Sequence, residues 1–314
     1  MANLALNPAQ PRSADPQASD PQASDPQASV SGAAAPLRQL TGCLAPAKLN
    51  LFLHVVGRRA DGYHLLQTAF RLLDWGDTLD FALREDGLIR RCNEVPGVAA
   101  ADDLVVRAAQ LLQRHSGTRQ GADITVHKVL PMGGGLGGGS SDAATTLIAL
   151  NRLWQTGLSR AELQALGLQL GADVPVFVHG CDAFAEGVGE ALQAMALPPA
   201  WYVIVFPRVG VPTADIFRAP DLTRNTPLMK MADFAMNTTR NDLQPVACRR
   251  FPAVQQAIDW LQQHAPARMT GSGACVFAEV ASPEEADRIV TLCPAAWQAW
   301  KVASLGRHPL HDWL

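Results

Sequence analysis

Long runs of any one kind are missing from this chain of 314 residues. No apolar stretch approaches the roughly 18 residues that a membrane span needs, so no spanning helix is expected. There is no long basic run and the formal net charge is −3, which argues against nucleic acid as the main partner. Cys43, Cys92, Cys181, Cys248, Cys275 and Cys293 are scattered, with no CxxC pair among them. That spacing argues against a zinc site or a disulfide frame and fits reduced thiols in a cytoplasmic protein.

What is present suits a globular protein: 48% of residues are hydrophobic and 18% charged. The length fits one large domain or two ordinary ones. Residues 1–37 stand apart, because Asp15-Pro16-Gln17-Ala18-Ser19 recurs at Asp20–Ser24 and Asp25–Ser29. A Pro-rich repeat with almost no large apolar side chains buries too little surface to offset its ordering entropy, so a disordered tail is expected. It also lacks the basic start and apolar run of a secretory signal.

Folded sequence is expected from about Leu40. Leu49, Leu51, Leu53 and Val55 alternate as in a half-buried strand, and a second strand is expected over Thr78–Leu83. A helix over Leu104–His115 and a strand over Asp123–Val129 follow. A helix begins after the glycines, with Ser140 or Ser141 as its cap, Asp142 in its first turn and Ala143, Leu147, Leu150 and Trp154 on one stripe. A further helix over Arg160–Leu170 ends at Gly171, read as a left-handed terminator. Beyond Trp201 the expected order is strand, helix (Phe251–His264), strand (Cys275–Val280), helix (Pro283–Leu292) and strand (Trp297–Leu305). That rhythm has split βαβ character. The fold class is therefore α+β with two domains, over 38–185 and 186–314, and a soft boundary between about 180 and 200.

The most specific local feature is Pro131-Met132-Gly133-Gly134-Gly135-Leu136-Gly137-Gly138-Gly139-Ser140-Ser141. Glycines between a strand and a helix start let a ligand approach the backbone, and the helix N-terminus adds unpaired N–H groups, so a phosphate cradle is expected. A dinucleotide fingerprint fails for want of an acidic residue at the end of a second strand, and a Walker loop fails because Ser140 stands in the lysine position. The competing reading is a plain surface turn.

Three separated segments carry a family resemblance: Pro46-Ala47-Lys48-Leu49-Asn50-Leu51-Phe52-Leu53, the glycine loop, and Thr270-Gly271-Ser272-Gly273-Ala274-Cys275-Val276-Phe277. Together they resemble the three motifs of the GHMP kinases. Asp61-Gly62-Tyr63-His64 and Gly171-Ala172-Asp173-Val174-Pro175-Val176-Phe177 are similar to the branch that acts on a cytidine-diphosphate-linked methylerythritol. The resemblance spans about residues 43–305. It implies a ribosomal-S5-like N-terminal domain, a ferredoxin-like C-terminal domain and a cleft between them. It further implies ATP with Mg2+ and transfer to the 2-hydroxyl of that small molecule, in the non-mevalonate route to isoprenoid precursors.

Phosphoryl transfer is chiefly positioning, charge neutralisation and removal of a proton. Asp173 is the candidate base, although its position alone equally fits a capping or turn residue. Lys48 is the candidate cation, read otherwise as an exposed strand lysine; Phe52 and His54 are expected on its face. Asn50 shares that face and could hold substrate or only satisfy backbone. The resemblance assigns Tyr63 to stacking on cytosine and His64 to hydrogen bonding, with Phe217 on the opposite side of the base or simply in the core. Ser140 and Ser141 could donate to phosphate, and Ser141 could reach Mg2+. Gly271, Ser272 and Gly273 are implied to close on phosphates and substrate, though alone they read as a hairpin turn. No dedicated metal cluster is visible, and His308-x-x-His311 reads as tail. A monomer or homodimer is expected.

Overall fold

Two long strands, β1 (Gln39–Arg58) and β2 (His64–Arg84), form an antiparallel pair that organises the first half of the molecule. The structure, a computed structural model, describes residues 37–314, so the tail expected over residues 1–37 lies, but for Leu37, outside the described residues. The other edge of β2 takes β4 (Gly121–His127) along its second half and β5 (Ala183–Glu186) along its first. Short strands β3 (Ile89–Arg91) and β6 (Ala191–Ala194) extend the sheet on either side.

β1 alternates only piecewise. Ala47, Leu49 and Leu51 pack towards the second half of the molecule, while Lys48 and Asn50 take the other face. A bulge between Asn50 and Phe52 then inserts an extra residue, so Phe52 joins Leu49 and Leu51 instead of the Lys48 face on which alternation had put it. A second bulge, between Pro46 and Lys48, sits where proline cannot donate to the ladder.

Four helices cover this sheet: α1 (Leu104–Ser116), α2 (Gly138–Leu153), α3 (Arg160–Leu170) and α4 (Val174–His179). Asp103 caps α1 by accepting from Val105 N, and Ser159 with Glu162 forms a reciprocal box at α3. Two local expectations are corrected here. The helix after the glycines starts at Gly138, capped by left-handed Gly137, and neither serine caps it; it is buried on nearly every side rather than along one stripe. Gly171 has φ 174°, an extended backbone, so α3 ends without a left-handed residue. The chain turns directly into α4, which the apolar run after Asp173 forms.

The second sheet contains β7 (Trp201–Phe206), β8 (Ala267–Met269), β9 (Val276–Val280) and β10 (Gln298–Ala303), in the order β10-β7-β9-β8 and antiparallel throughout. α7 (Pro252–Gln262) and α8 (Pro283–Thr291) pack on it, which is the split βαβ arrangement expected. The β7–β8 connection also carries α5 (Thr213–Arg218) and α6 (Gln244–Arg250). Because β6 pairs with β5, the first sheet runs through Ala194; a boundary between 185 and 186 would cut β5 itself, and we propose the changeover after Ala194, inside the soft range.

Residues 37–314 form one compact unit. A shared core joins the two sheets, with Leu49, Leu51, Phe52 and Leu73 against Tyr202, Ile204, Phe277 and Val302. Fully burying each aliphatic or phenylalanine side chain is worth about 1.5–3 kcal/mol, so the halves are held as one body.

Candidate active site

A cleft of about 1050 Å³ opens where β1, the glycine loop, the α3–α4 turn and the loop before β9 converge. At its centre Lys48 Nζ stands 3.4 Å from Asp173 Oδ2. The ammonium also donates to Asn50 Oδ1 at 2.5 Å, and Asn50 Nδ2 donates to Thr68 Oγ1 at 2.9 Å. Thr68 in turn donates to the Phe52 carbonyl beside the bulge. Lys48 is therefore a buried cation oriented by a polar relay, not an exposed strand residue. Its side chain is 3% exposed against 37% for Asp173, so the carboxylate faces the cleft mouth while the charge beneath it is fixed. Asp173 makes no side-chain bond to the start of α4, which removes the capping reading.

The glycine loop lies against the loop before β9. Ala274 N and Cys275 N donate to Gly133 O and Gly134 O at 3.2 and 3.0 Å. Gly135 has φ +77°, and a Cβ there would sit 2.5 Å from the Thr270 carbonyl oxygen; only glycine allows this approach. Because α2 begins on Gly137 with no side-chain cap, the N–H groups of its first turn lack intrahelical partners beside the cleft. Ser140 lines the cleft, whereas Ser141 Oγ is buried without a hydrogen-bond partner. Glycine backbone and free helix-start donors fit a polyphosphate.

Below the loop, Lys128 bridges two buried carboxylates, reaching Asp142 Oδ2 at 2.7 Å and also Asp77. Asp77 further accepts from Val129 N and Leu130 N at 2.6 and 2.9 Å, which clamps the exit of β4. Burial opposes the Lys128 charge, but the two carboxylates outweigh it and raise its pKa. Burial pushes Asp142 up to about 7, with Lys128 pulling it down and Asp77 pushing it up, and Asp142 Oδ1 has no hydrogen-bond partner. Nothing in the spacing of Asp77, Lys128 and Asp142 pointed to this triad.

The Thr270–Gly273 loop is held from behind. Asn241 Nδ2 donates to Met269 O and Gly271 O at 2.9 and 2.8 Å, and Asn50 N donates to Thr270 Oγ1 at 2.9 Å. Ser272 Oγ meets Thr213 Oγ1 at 2.7 Å, tying the loop to α5. Gly271, Ser272 and Gly273 do form the turn of a hairpin, joining antiparallel β8 and β9, and the same turn lines the cleft. Asn241 was missed by sequence reasoning because it lies in an irregular stretch between 3-10 turns and α6.

At the far end stand Tyr63, His64 and Phe217. Tyr63 is 64% exposed at the rim. The His64 and Phe217 rings are 5.1 Å apart between centroids and tilted by 34°. Phe217 is only partly buried and lines the cleft, which sets aside the purely core reading. Arg224, which sequence reasoning did not single out, donates from Nε to His64 Nε2 at 3.1 Å. His64 has its pKa lowered, first by burial and then by the positive charges of Arg224 and Arg58. Of all the candidate residues only Ser141 does not line the cleft.

Comparison with known proteins identifies the family to which this fold belongs. Residues 103–181 match the GHMP kinases N terminal domain and residues 220–298 the GHMP kinases C terminal domain. The 4-diphosphocytidyl-2-C-methyl-D-erythritol kinase of Azoarcus sp. is 73% identical over 275 residues, covering 88% of this chain and 98% of that protein. The kinase of the same description from Aromatoleum aromaticum is 67% identical over 280 residues, covering 89% and 99%. A crystal structure of a 4-(cytidine 5'-diphospho)-2C-methyl-D-erythritol kinase superposes with a TM-score of 0.72 at 33% identity, covering 85% of this chain and 99% of that one. A homoserine kinase from Cytophaga hutchinsonii, at 16% identity and TM-score 0.58, shares the fold. By motif, fold and identity over nearly the whole length of its relatives, the chain belongs to the GHMP kinases, among the 4-diphosphocytidyl-2-C-methyl-D-erythritol kinases.

Proposed function

We propose that this chain transfers the γ-phosphoryl group of ATP to the 2-hydroxyl of 4-diphosphocytidyl-2-C-methyl-D-erythritol, with Lys48 and Asp173 as the catalytic pair. The observation that carries this reading is their 3.4 Å approach, between the glycine loop on one side and His64 with Phe217 on the other. Asp173 takes the hydroxyl proton as the new O–P bond forms and the bond from Pγ to the β–γ bridging oxygen breaks, releasing ADP. Lys48, held by Asn50, fixes the carboxylate and faces the negative charge that gathers on the transferring group. The run from Pro131, Met132, Gly133 and Gly134 through Gly135 and Leu136 to Gly137, Gly138, Gly139 and Ser140 wraps the triphosphate with backbone N–H groups. Mg2+ accompanying ATP would neutralise phosphate charge; the Ser141 hydroxyl, buried without a hydrogen-bond partner just behind the cleft wall, would be its candidate protein ligand. Tyr63, His64 and Phe217 take the cytosine, and Gly271, Ser272 and Gly273 close over the phosphates and the acceptor. A cytoplasmic enzyme is part of the same reading; among the described residues no helix is long and apolar enough to cross a membrane.

The test is ADP release with purified protein and the cytidylyl substrate, with homoserine as a control acceptor. Asp173→Asn and Lys48→Ala are each expected to lower kcat by about 100-fold or more, the scale of general-base and electrostatic contributions, with circular dichroism unchanged. Near-normal turnover in both variants would refute the assignment. Nucleotide binding without transfer to any acceptor would instead leave an inactive regulator.

A further inference from the structure

Arg224 is locked in place by backbone. Its Nη1 donates to Leu222 O at 3.0 Å, and its Nη2 donates to Phe217 O at 3.1 Å and Ala219 O at 2.7 Å. These carbonyls lie at and just beyond the end of α5, and Ala219 O also accepts from Leu222 N at 3.3 Å. Because a guanidinium is planar, three anchored bonds also fix the direction of its remaining Nε–H, and that hydrogen points at His64 Nε2. Arginine only donates and keeps its proton, so the nitrogen it meets must present a lone pair. A neutral imidazole carries one N–H, which is then on Nδ1. Burial and the charges of Arg224 and Arg58 keep the doubly protonated form away. Among the described residues nothing hydrogen-bonds His64 Nδ1, and His64 lines the cleft beside Phe217.

We propose that Arg224 is a positioning residue that locks His64 as the neutral Nδ1–H tautomer, so that the cleft offers a donor and no acceptor there and selects cytosine over uracil. The discrimination rests on the cytidylyl reading given above. Ring nitrogen N3 is an acceptor in cytosine and an N–H donor in uracil, so a donor-only imidazole edge pairs with the first and opposes the second. Arg224 also holds the Phe217 backbone through the Nη2 bond, so one side chain ties the His64 edge of the base pocket to its Phe217 wall.

The first arm is read on the substrate-free enzyme and does not depend on the reaction. Nitrogen-15 shifts of His64 are expected to show a protonated Nδ1 and a bare Nε2 in the native protein, and exchange between tautomers in Arg224→Met. A proton on Nε2 in the native enzyme overturns the proposal even if the kinase reading stands. The second arm compares the cytidylyl substrate with its uridylyl analogue. The native enzyme is expected to prefer cytidylyl by about 10- to 100-fold in kcat/KM, the range of one or two base-edge contacts. Arg224→Met is expected to raise KM for the cytidylyl substrate about ten-fold with kcat within about two-fold, and to shrink that preference. In a His64→Ala background the same change should add little, because Arg224 acts through the imidazole. Equal KM effects with and without His64 would make Arg224 a merely structural cap of α5 and overturn the proposal. Native enzyme that turns over neither substrate overturns the kinase reading and this selection with it.

Discussion

Lys48 and Asp142 show opposite treatments of a buried charge. Lys48 has an amide and a carboxylate to receive its donors, and the carboxylate remains at the cleft surface. Asp142 shares one lysine with Asp77 and leaves Oδ1 unpaired. Its pKa of about 7, against the ordinary carboxylate value of 3.8, has a definite sign for stability. Between those values the folded protein holds a proton that the unfolded chain has released, so the contribution is full below about 3.8 and lost as pH rises through about 7. Asp142→Asn keeps the size and removes the titration. Its thermal midpoint relative to the native enzyme is expected to climb by a few degrees between pH 5 and 8, at about 2–4 °C per kcal/mol. A difference that stays constant across that range would show that Asp142 does not titrate in the folded protein.

At the scale of elements, the glycine loop and the loop before β9 form one docked unit, and each glycine in it has its own neighbour. In Gly135→Ala the new Cβ meets the Thr270 and Gly273 carbonyl oxygens at 2.5 and 3.0 Å, on a backbone of φ +77°. The left-handed conformation alone costs a non-glycine residue about 1–2 kcal/mol, a factor of about ten in an equilibrium constant. KM for ATP is expected to rise by at least that factor while the far-ultraviolet spectrum stays native; steady-state kinetics with a native KM would show that the two loops need not touch. These elements also mark what could be read in advance. Glycines between a strand and a helix identify a cradle because their spacing is local, and the alternation of β1 places Lys48 with Asn50 as far as the bulge. The bulge itself, which moves Phe52 to the opposite face, has no local signature. Asn241 and Arg224 were illegible for a related reason: each acts on backbone carbonyls or a ring brought near only by the fold, from stretches with no periodicity. Asp173 was legible as a candidate, but its release from capping became evident only in the turn from α3 into α4.

At the scale of the whole molecule, the chain ends by crossing back onto the half where it began. Leu305 N donates to Leu72 O, His308 N donates to Gly180 O, and Leu310 and Trp313 pack into the first core. Arg160 ties this strap to α4, donating to Val178 O, His179 O and His311 O. The helix that starts beside Asp173 is thus held at its other end by the C-terminal segment, and His308, expected to be mere tail, is a buried part of that hold. Its Nδ1 accepts from Leu310 N at 3.0 Å, and Nε2 faces Thr145 Oγ1 at 3.4 Å. Burial, then the charges of His311 and Arg160, lower its pKa to about 3 from the ordinary imidazole value of 6.5. Between those values the unfolded chain binds a proton that the folded protein refuses. The contribution is therefore present above about 6.5 and lost as pH falls through about 3, by up to about 1.4 kcal/mol per pH unit. His308→Gln, which cannot titrate, is expected to flatten the acid limb of stability measured by urea denaturation at pH 6.5, 5.5 and 4.5. Parallel limbs for the two proteins would mean that the strap opens before His308 is protonated, and the acid sensitivity of the fold would then lie elsewhere.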